Sequence, residues 1–401
     1  MGFESGSLSF HAFYLSKPFE PGDVERFAAR PLPPIKTLVG DQPLHGWAGP
    51  LHALDGDLTE AHCWRGDWLW LAHVTARKAV PPSFLRATLL AELEVERRAR
   101  DVEILPRAAK TEVRERVTEA LLRDAQPTFA SMECAVDLRN QRLLASALND
   151  ASIQLLCPFF RETTGVMPVL CCPESAAYRL RGVDANALEQ LPLTPNPDVQ
   201  PSPDNALGAE FLTWLFHRWE RESAVFDLDG QRCGLMFEGP LTVSSDDAPG
   251  CHETLLRNGT PLDSPEFGIA LWNGKRLRRA KLTLTRGDWV VTATVDAQDF
   301  AFRSLKIVTP KGDSAPAPGA EPDALQGMPS LNRPGAKPPA DPADPKRKLE
   351  VDERLDRAAF YVDAFLHLYG EFLAIREDPV AWRAALAPIR EWVAHRAGRE
   401  P

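Results

Sequence analysis

Residues 275–295 read KRLRRAKLTLTRGDWVVTATV, and this stretch sets the fold class. Apolar and polar residues alternate on both sides of Gly287-Asp288, a dipeptide that favours a tight turn. The pattern predicts an antiparallel hairpin of Lys281–Arg286 and Trp289–Val295. On its first strand, Arg279, Lys281 and Thr283 share one face, and Ala280, Leu282 and Leu284 share the other. We therefore expect one face to enter the core and the other to form a cationic strip.

The rest of the chain alternates strand patterns with amphipathic helix patterns. Helices interleaved with mixed or mostly antiparallel sheets predict an α+β protein with long helices. The segment Pro265–Leu271 fits either a strand or a short helix. The predicted strands include Ser7–Leu15, Trp68–Thr75, Met132–Leu138 and Arg142–Ala147, and the predicted helices include Pro82–Arg100, Arg107–Ala125, Asp150–Thr164 and Ala206–Arg221.

Composition indicates an ordinary globular chain. It has 401 residues, 44% of them hydrophobic, and a formal net charge of −10. No apolar run reaches the roughly 18 residues that a membrane helix needs, and the amino terminus lacks the pattern of a secretory signal.

Seven cysteines, mostly in apolar contexts, are typical of reduced buried thiols and not of a disulfide framework. We expect a cytoplasmic protein.

Proline-rich segments divide the chain. Residues 309–349 are rich in proline and, up to residue 345, lack aromatic residues, which predicts a disordered spacer. A second proline-rich hinge covers residues 192–204. The predicted parts are therefore an α+β part at 1–191, a second α+β part at 205–308, the spacer at 309–349 and a helical hairpin at 350–401. That hairpin packs either on the protein's own core or on a partner.

No catalytic or metal-binding motif stands out. The sequence has no Cys-x-x-Cys pair, no nucleophile elbow and no phosphate-binding glycine loop. We therefore expect no cofactor and no enzymatic activity. The rival reading is a metal-dependent nuclease that uses Asp227, Asp229 or Asp246, because a two-metal site needs converging carboxylates.

Basic patterning is the stronger signal. Six cations lie between Lys275 and Arg286 with no acid among them. Arg107, Lys110 and Arg114 form one stripe on a predicted helix, but four acids lie within residues 97–116, and a solvated face balanced by acids is the alternative there. Cations on regular elements suit duplex binding without sequence readout. The candidate DNA-binding residues are the first-half cations, Arg77, Lys78, Arg86 and Lys110, and the second-half cations, Lys275, Arg276, Arg279 and Lys281.

A collinear series of short patches resembles the recombination-associated protein RdgC family over about residues 7–308. No single patch is specific, but their order matches that of the family. The patches are Gly46-Trp47-Ala48-Gly49-Pro50, Ala76-Arg77-Lys78, Val80-Pro81-Pro82, Leu121-Leu122, Met167-Pro168-Val169-Leu170, Gly274-Lys275-Arg276-Leu277 and Leu305-Lys306.

The resemblance implies a nucleoid-associated α+β protein that binds double-stranded DNA as a ring-shaped homodimer and limits RecA by occupying DNA. Two departures concern the ring. Gln126 stands where the family has a phenylalanine at a subunit contact, and Glu238-Gly239 stands where it has a functional Lys-Gln pair. These departures favour an alternative, a protein–protein adaptor whose RdgC-like core no longer binds DNA and whose helices at 350–398 hold a protein partner.

Overall fold

The computed structural model describes the chain apart from residues 1, 4–5, 20–21, 23, 41, 201–205, 246–251, 309–344 and 401. For residues 60–61, 308 and 345–349 it describes the backbone alone. The fold is α+β with a large antiparallel sheet, as the sequence predicts. Two compact units make up the chain. The small unit covers residues 15–168, and the large unit covers residues 1–14 and 169–401.

The boundaries between the two units do not coincide with the proline-rich segments. The hinge at 192–204 does not lie between the units, and the first residues of the chain belong to the large unit. Most of the predicted spacer, residues 309–344, lies outside the described residues.

The small unit is built on two long strands, β4 and β5, which pair along their full length from Trp68↔Asp137 to Lys78↔Pro127. Its strands follow the order β6-β5-β4-β2, with β3 also on β4. The elements are α1 (Val24–Ala28), β2 (Leu44–Ala48), α2 (Glu60–Cys63), β3 (Trp64–Arg65), β4 (Trp68–Lys78), α3 (Pro82–Ala99), α4 (Arg107–Asp124), β5 (Pro127–Asp137), β6 (Arg142–Ala145) and α5 (Asp150–Thr164).

A helical hairpin, α3 and α4, connects β4 to β5. Pro82 begins α3, where the missing N–H of proline costs nothing because no helical acceptor precedes it. The described side chains of α3 include none that is buried, whereas α4 buries Ala109, Val113 and Val117 along one face. The hairpin is therefore an exposed appendage of the small unit.

The large unit pairs its strands in the order β10-β9-β11-β12-β13-β1, with β8 on β9 and β7 on β1. The predicted hairpin is confirmed as β11 and β12, which pair from Arg279↔Asp296 to Arg286↔Trp289 across Gly287. Its elements are β1 (Leu8–Leu15), β7 (Pro168–Leu170), α6 (Pro173–Arg181), α7 (Leu207–Arg221), β8 (Val225–Leu228), β9 (Gln231–Ser244), β10 (Glu253–Leu256), α8 (Pro265–Trp272), β11 (Arg276–Arg286), β12 (Trp289–Asp296), β13 (Ala301–Val308), α9 (Pro345–Arg376) and α10 (Pro379–Arg396).

The undecided segment at 265–271 is the helix α8. Ser264 caps its amino terminus, since the Ser264 Oγ accepts a hydrogen bond from the Phe267 N–H at 3.2 Å, and Pro265 follows at the first helical position. The cap and the proline favour a helix over a strand.

The two C-terminal helices pack on the core of their own unit. The Tyr361 hydroxyl of α9 donates to the Leu282 carbonyl oxygen of β11 at 3.0 Å, and the ring of Phe365 stacks edge-on against Phe300 at 4.9 Å. Part of α9, Glu350–Arg376, is long and apolar enough to cross a membrane, but this stretch is mostly buried. It is therefore a core helix, and the predicted helical hairpin docks on its own chain.

Candidate nucleic-acid interface

The strand that carries the second-half cations lies inside the sheet, between β9 and β12. The side chains of β11 alternate between the two faces of the sheet as predicted. Ala280, Leu282 and Leu284 are fully buried, and Arg279 and Lys281 lie on the opposite face. What the cations contact on that face determines whether they can bind phosphate.

Lys275 and Arg276 are buried, each with 8% of its surface exposed. The Lys275 Nζ donates to the Thr254 Oγ1 at 2.7 Å. The Arg276 guanidinium lies 3.9 Å from Glu210 Oε1, and Arg376 of α9 binds the other oxygen of the same carboxylate at 2.9 Å. Glu210 itself is fully buried. These two second-half cations therefore have little surface that could contact a phosphate.

Arg279 and Lys281 are about one-third exposed, but each is paired with an acid. The Arg279 Nε lies 2.5 Å from Asp296 Oδ2, and the Lys281 Nζ lies 2.5 Å from Glu238 Oε2. The hydrogen bond to Asp296 raises the pKa of Arg279. Burial raises the pKa of Glu238, but hydrogen bonds from Lys281 and Thr283 outweigh it and leave that pKa below its usual value. The strip is a set of ion pairs and not a row of free cations.

Glu238 explains this neutralisation in sequence terms. It occupies the position that the resemblance assigns to a lysine, and here its carboxylate accepts hydrogen bonds from both Lys281 and Thr283. A lysine at this position would add a cation beside Lys281, whereas the glutamate cancels one. The glutamate therefore reduces the positive charge of this sheet face.

The first-half cations are mostly exposed. Arg77 ends β4, Arg86 lies on α3, and Lys110 lies on α4, all with exposed side chains. Among the described residues, no carboxylate oxygen lies within 4.0 Å of these three cationic groups. Lys78 differs, because its Nζ donates to the Arg123 carbonyl oxygen at 2.8 Å, which closes the base of the helical hairpin.

Arg107 and Arg114 extend the exposed charge on α4. They flank Lys110 at helical spacing, so the three side chains lie on one side of the helix. Like Lys110, they have no carboxylate within 4.0 Å in the part of the chain that the structure describes. Apart from Arg86, the other arginines of the hairpin are paired: Arg97 and Arg98 bind Glu94, Arg100 and Arg116 bind Glu96, and Arg123 lies 3.8 Å from Glu119.

Two acids of the nuclease alternative, Asp227 at the end of β8 and Asp229 in the following turn, lie close together in the chain. Asp227 Oδ1 accepts the Gly230 N–H at 2.9 Å, and Asp229 has a left-handed backbone with φ +52° between β8 and β9. Asp246 lies outside the described residues. Within the residues that the structure describes, no three His, Cys, Asp or Glu side chains are grouped to hold a metal ion.

The described cysteines are reduced thiols, and all but the half-buried Cys172 are buried. Burial, more than the nearby Asp55, raises the pKa of Cys63 to about 12. Burial also raises the pKa of Cys157 to about 11. Thiols with such pKa values are poor nucleophiles at neutral pH. The prediction of reduced, buried cysteines is confirmed for this part of the chain, and Cys251 lies outside it.

An apolar row on α3 is a feature that the sequence reasoning missed. Phe84 and Val95 are 56% and 60% exposed, and Ala87 and Ala91 lie between them on the same side of the helix. Leu90, also 60% exposed, lies about 120° around the helix from Phe84. The spacing of these residues was available in the sequence as an amphipathic pattern. The sequence could not show that the apolar side faces solvent.

Comparison with family models and with curated proteins finds no match to this chain.

Proposed function

We propose that the protein binds double-stranded DNA without reading sequence and without catalysis, through exposed cations of its small unit. The observation that carries the proposal is the set of exposed cations with no acid partner among the described residues, namely Arg77, Arg86, Arg107, Lys110 and Arg114. The second-half cations are not part of this site, because protein groups already occupy them.

Counterion release supplies the driving force for such binding. Each phosphate that a lysine or arginine neutralises releases condensed cations from the duplex, so affinity falls steeply with salt. Contacts of this kind position the protein on the backbone and carry no sequence information. The exposed cations of the small unit give it a local attraction for phosphate although the chain as a whole is acidic. The RdgC resemblance adds homodimer formation, cytoplasmic nucleoid association and limitation of RecA by occupied DNA to this proposal.

The test is a charge reversal at Arg77, Arg86 and Lys110 together, each changed to Glu, in the full chain. We expect loss of the gel shift at moderate salt and a salt slope smaller by about 0.9 for each phosphate that the protein no longer neutralises. The matched control reverses Arg232, Arg257 and Lys306, three exposed cations of the large unit, and changes the net charge equally. If both triple variants bind DNA as the wild type does, the small-unit site is wrong.

A second candidate function is a protein–protein adaptor. It is favoured by the neutralised second-half cations and by the exposed apolar side chains of α3, which are Phe84, Leu90 and Val95. Contiguous exposed apolar patches mark contact sites in soluble proteins. A wild-type chain that shows no salt-dependent DNA retention favours the adaptor over the DNA binder.

A further inference from the structure

The outer edge of β5 is open along its first half. The strand has β4 on one side over its whole length, but β6 covers only Cys134–Asp137 on the other side. Beyond that point the chain of β6 leaves the sheet. Asn149 then caps α5, its side-chain oxygen accepting the Ser152 N–H at 2.9 Å. The departure of the chain toward α5 leaves residues 127–132 without a second neighbour among the described strands.

The hydrogen bonds of Glu133 show which backbone N–H and carbonyl groups of residues 127–132 point away from β4. Its N–H donates to the Ser146 Oγ at 2.8 Å, and its carbonyl oxygen accepts the Ser146 N–H at 2.9 Å, so both groups point away from β4. Alternate residues of a strand point the same way, and the β4–β5 register is unbroken. Phe129 and Ser131 therefore present an N–H and a carbonyl oxygen each at the open edge, and Pro127 presents a carbonyl oxygen.

This edge lacks the usual protection against pairing. Proteins guard exposed edge strands with charged side chains, bulges or interior prolines. Here no charged residue lies between Asp124 and Glu133, and Phe129 is 38% exposed. Only Pro127, at the first position of the strand, is a residue that hinders pairing with another strand. An unguarded edge of this length is suited to strand addition.

We propose that this edge is a binding site for an extended segment of a partner protein, added antiparallel to β5, whose C-terminal end is acidic. The orientation continues the line of β6, which is antiparallel to β5. In that orientation the C-terminal end of the added strand lies beside Pro127. Arg77 and Lys78 pair with Thr128 and Pro127 on the neighbouring strand.

Charge complementarity determines the chemistry of the partner. The Pro127 end of the edge is flanked by Arg77, Lys78 and the exposed Arg123, against the single adjacent acid Asp124 and the more distant Glu119 that contacts Arg123. The opposite end carries Glu133. A segment with acids at its C-terminal end therefore gains attraction at one end of β5 and avoids repulsion at the other.

The experiment uses a labelled peptide of alternating Val and Thr followed by consecutive Glu residues, with fluorescence polarisation as the measurement. A peptide with the same residues but the Glu run placed first is the control for orientation. We expect the first peptide to bind the full chain more tightly than the second. In amide hydrogen exchange, bound peptide protects Phe129 and Ser131, whereas Thr128 and Ala130 are protected already by β4.

The matched variants are Phe129→Pro and Phe129→Ala. Proline removes the edge-facing N–H without touching the β4 ladder, so the fold tolerates it while strand addition fails. We expect about tenfold weaker peptide binding for Phe129→Pro, in keeping with the removal of one backbone hydrogen bond, and near-normal binding for Phe129→Ala. Ser131→Pro repeats the test at the next edge-facing N–H.

Three results overturn the proposal. The first is that the wild type does not bind the peptide, and the second is that Phe129→Pro and Ser131→Pro bind it as tightly as the wild type does. The third is light scattering that shows a wild-type dimer converted to a monomer by these prolines. The last result assigns the edge to a second copy of the chain. Neither proline changes a charge, so DNA binding stays as in the wild type, and the two proposals fail independently.

Discussion

Neither ring nitrogen of His73 has a hydrogen-bond partner among the described residues, and the side chain is fully buried. The ring lies between His45 of β2 at 5.9 Å and Phe159 of α5 at 4.9 Å, measured between centroids. Burial first, and the neighbouring His45 second, lower its pKa from the ordinary 6.5 to about 4. The folded small unit therefore holds a neutral imidazole that the unfolded chain would protonate in mild acid.

This histidine predicts acid sensitivity. Between pH 6.5 and about 4 the unfolded state binds the proton and the folded state does not, so stability falls as the pH falls through this window. The full loss is about 3 kcal/mol and is complete below the folded pKa. Urea midpoints at pH 7 and pH 4.5 measure it. His73→Leu should reduce the difference between those midpoints, and an unchanged difference would contradict the assignment to His73.

At the scale of elements, the strand β11 shows how far sequence reasoning reaches. Alternation correctly predicts which residues of β11 face the core, because a strand has a period of two whatever surrounds it. The ion pairs of Arg279 and Lys281 could not be predicted, since Asp296 and Glu238 come from other strands and their register is a tertiary property. The sequence identifies Arg86 and Lys110 as cations, but it could not predict that their side chains are exposed.

The paired state of Lys281 gives a prediction for this element. Lys281→Met removes a charge that Glu238 already neutralises, so duplex affinity and its salt slope should stay at the wild-type values. The cost in stability is about 1 kcal/mol or less, because the pair is partly exposed. Gel shifts at several salt concentrations, beside the Arg77, Arg86 and Lys110 variant, provide the comparison. A clear loss of affinity in Lys281→Met would place DNA on β11.

At the scale of the whole molecule, the C-terminal helices close the core of the large unit. Buried Arg376 of α9 binds the fully buried Glu210 of α7, and Trp392 of α10 packs against Phe216 with 5.9 Å between ring centroids. Removing α9 leaves Glu210 without its closest partner, and an uncompensated buried charge costs several kcal/mol. Phe300 and Phe302 also lose their ring contacts with Phe365 of α9.

Truncation after residue 308 should therefore prevent cooperative folding of the large unit. A 1–308 chain is expected to aggregate or to show no sharp thermal transition, because the apolar area covered by α9 and α10 returns to water. Co-expression with residues 345–401 as a separate chain should restore a soluble complex with a single transition, since the contacts are non-covalent. Gel filtration and thermal unfolding measure both outcomes. A 1–308 chain that melts cooperatively alone would show that the helices are an appendage of a core that is already complete.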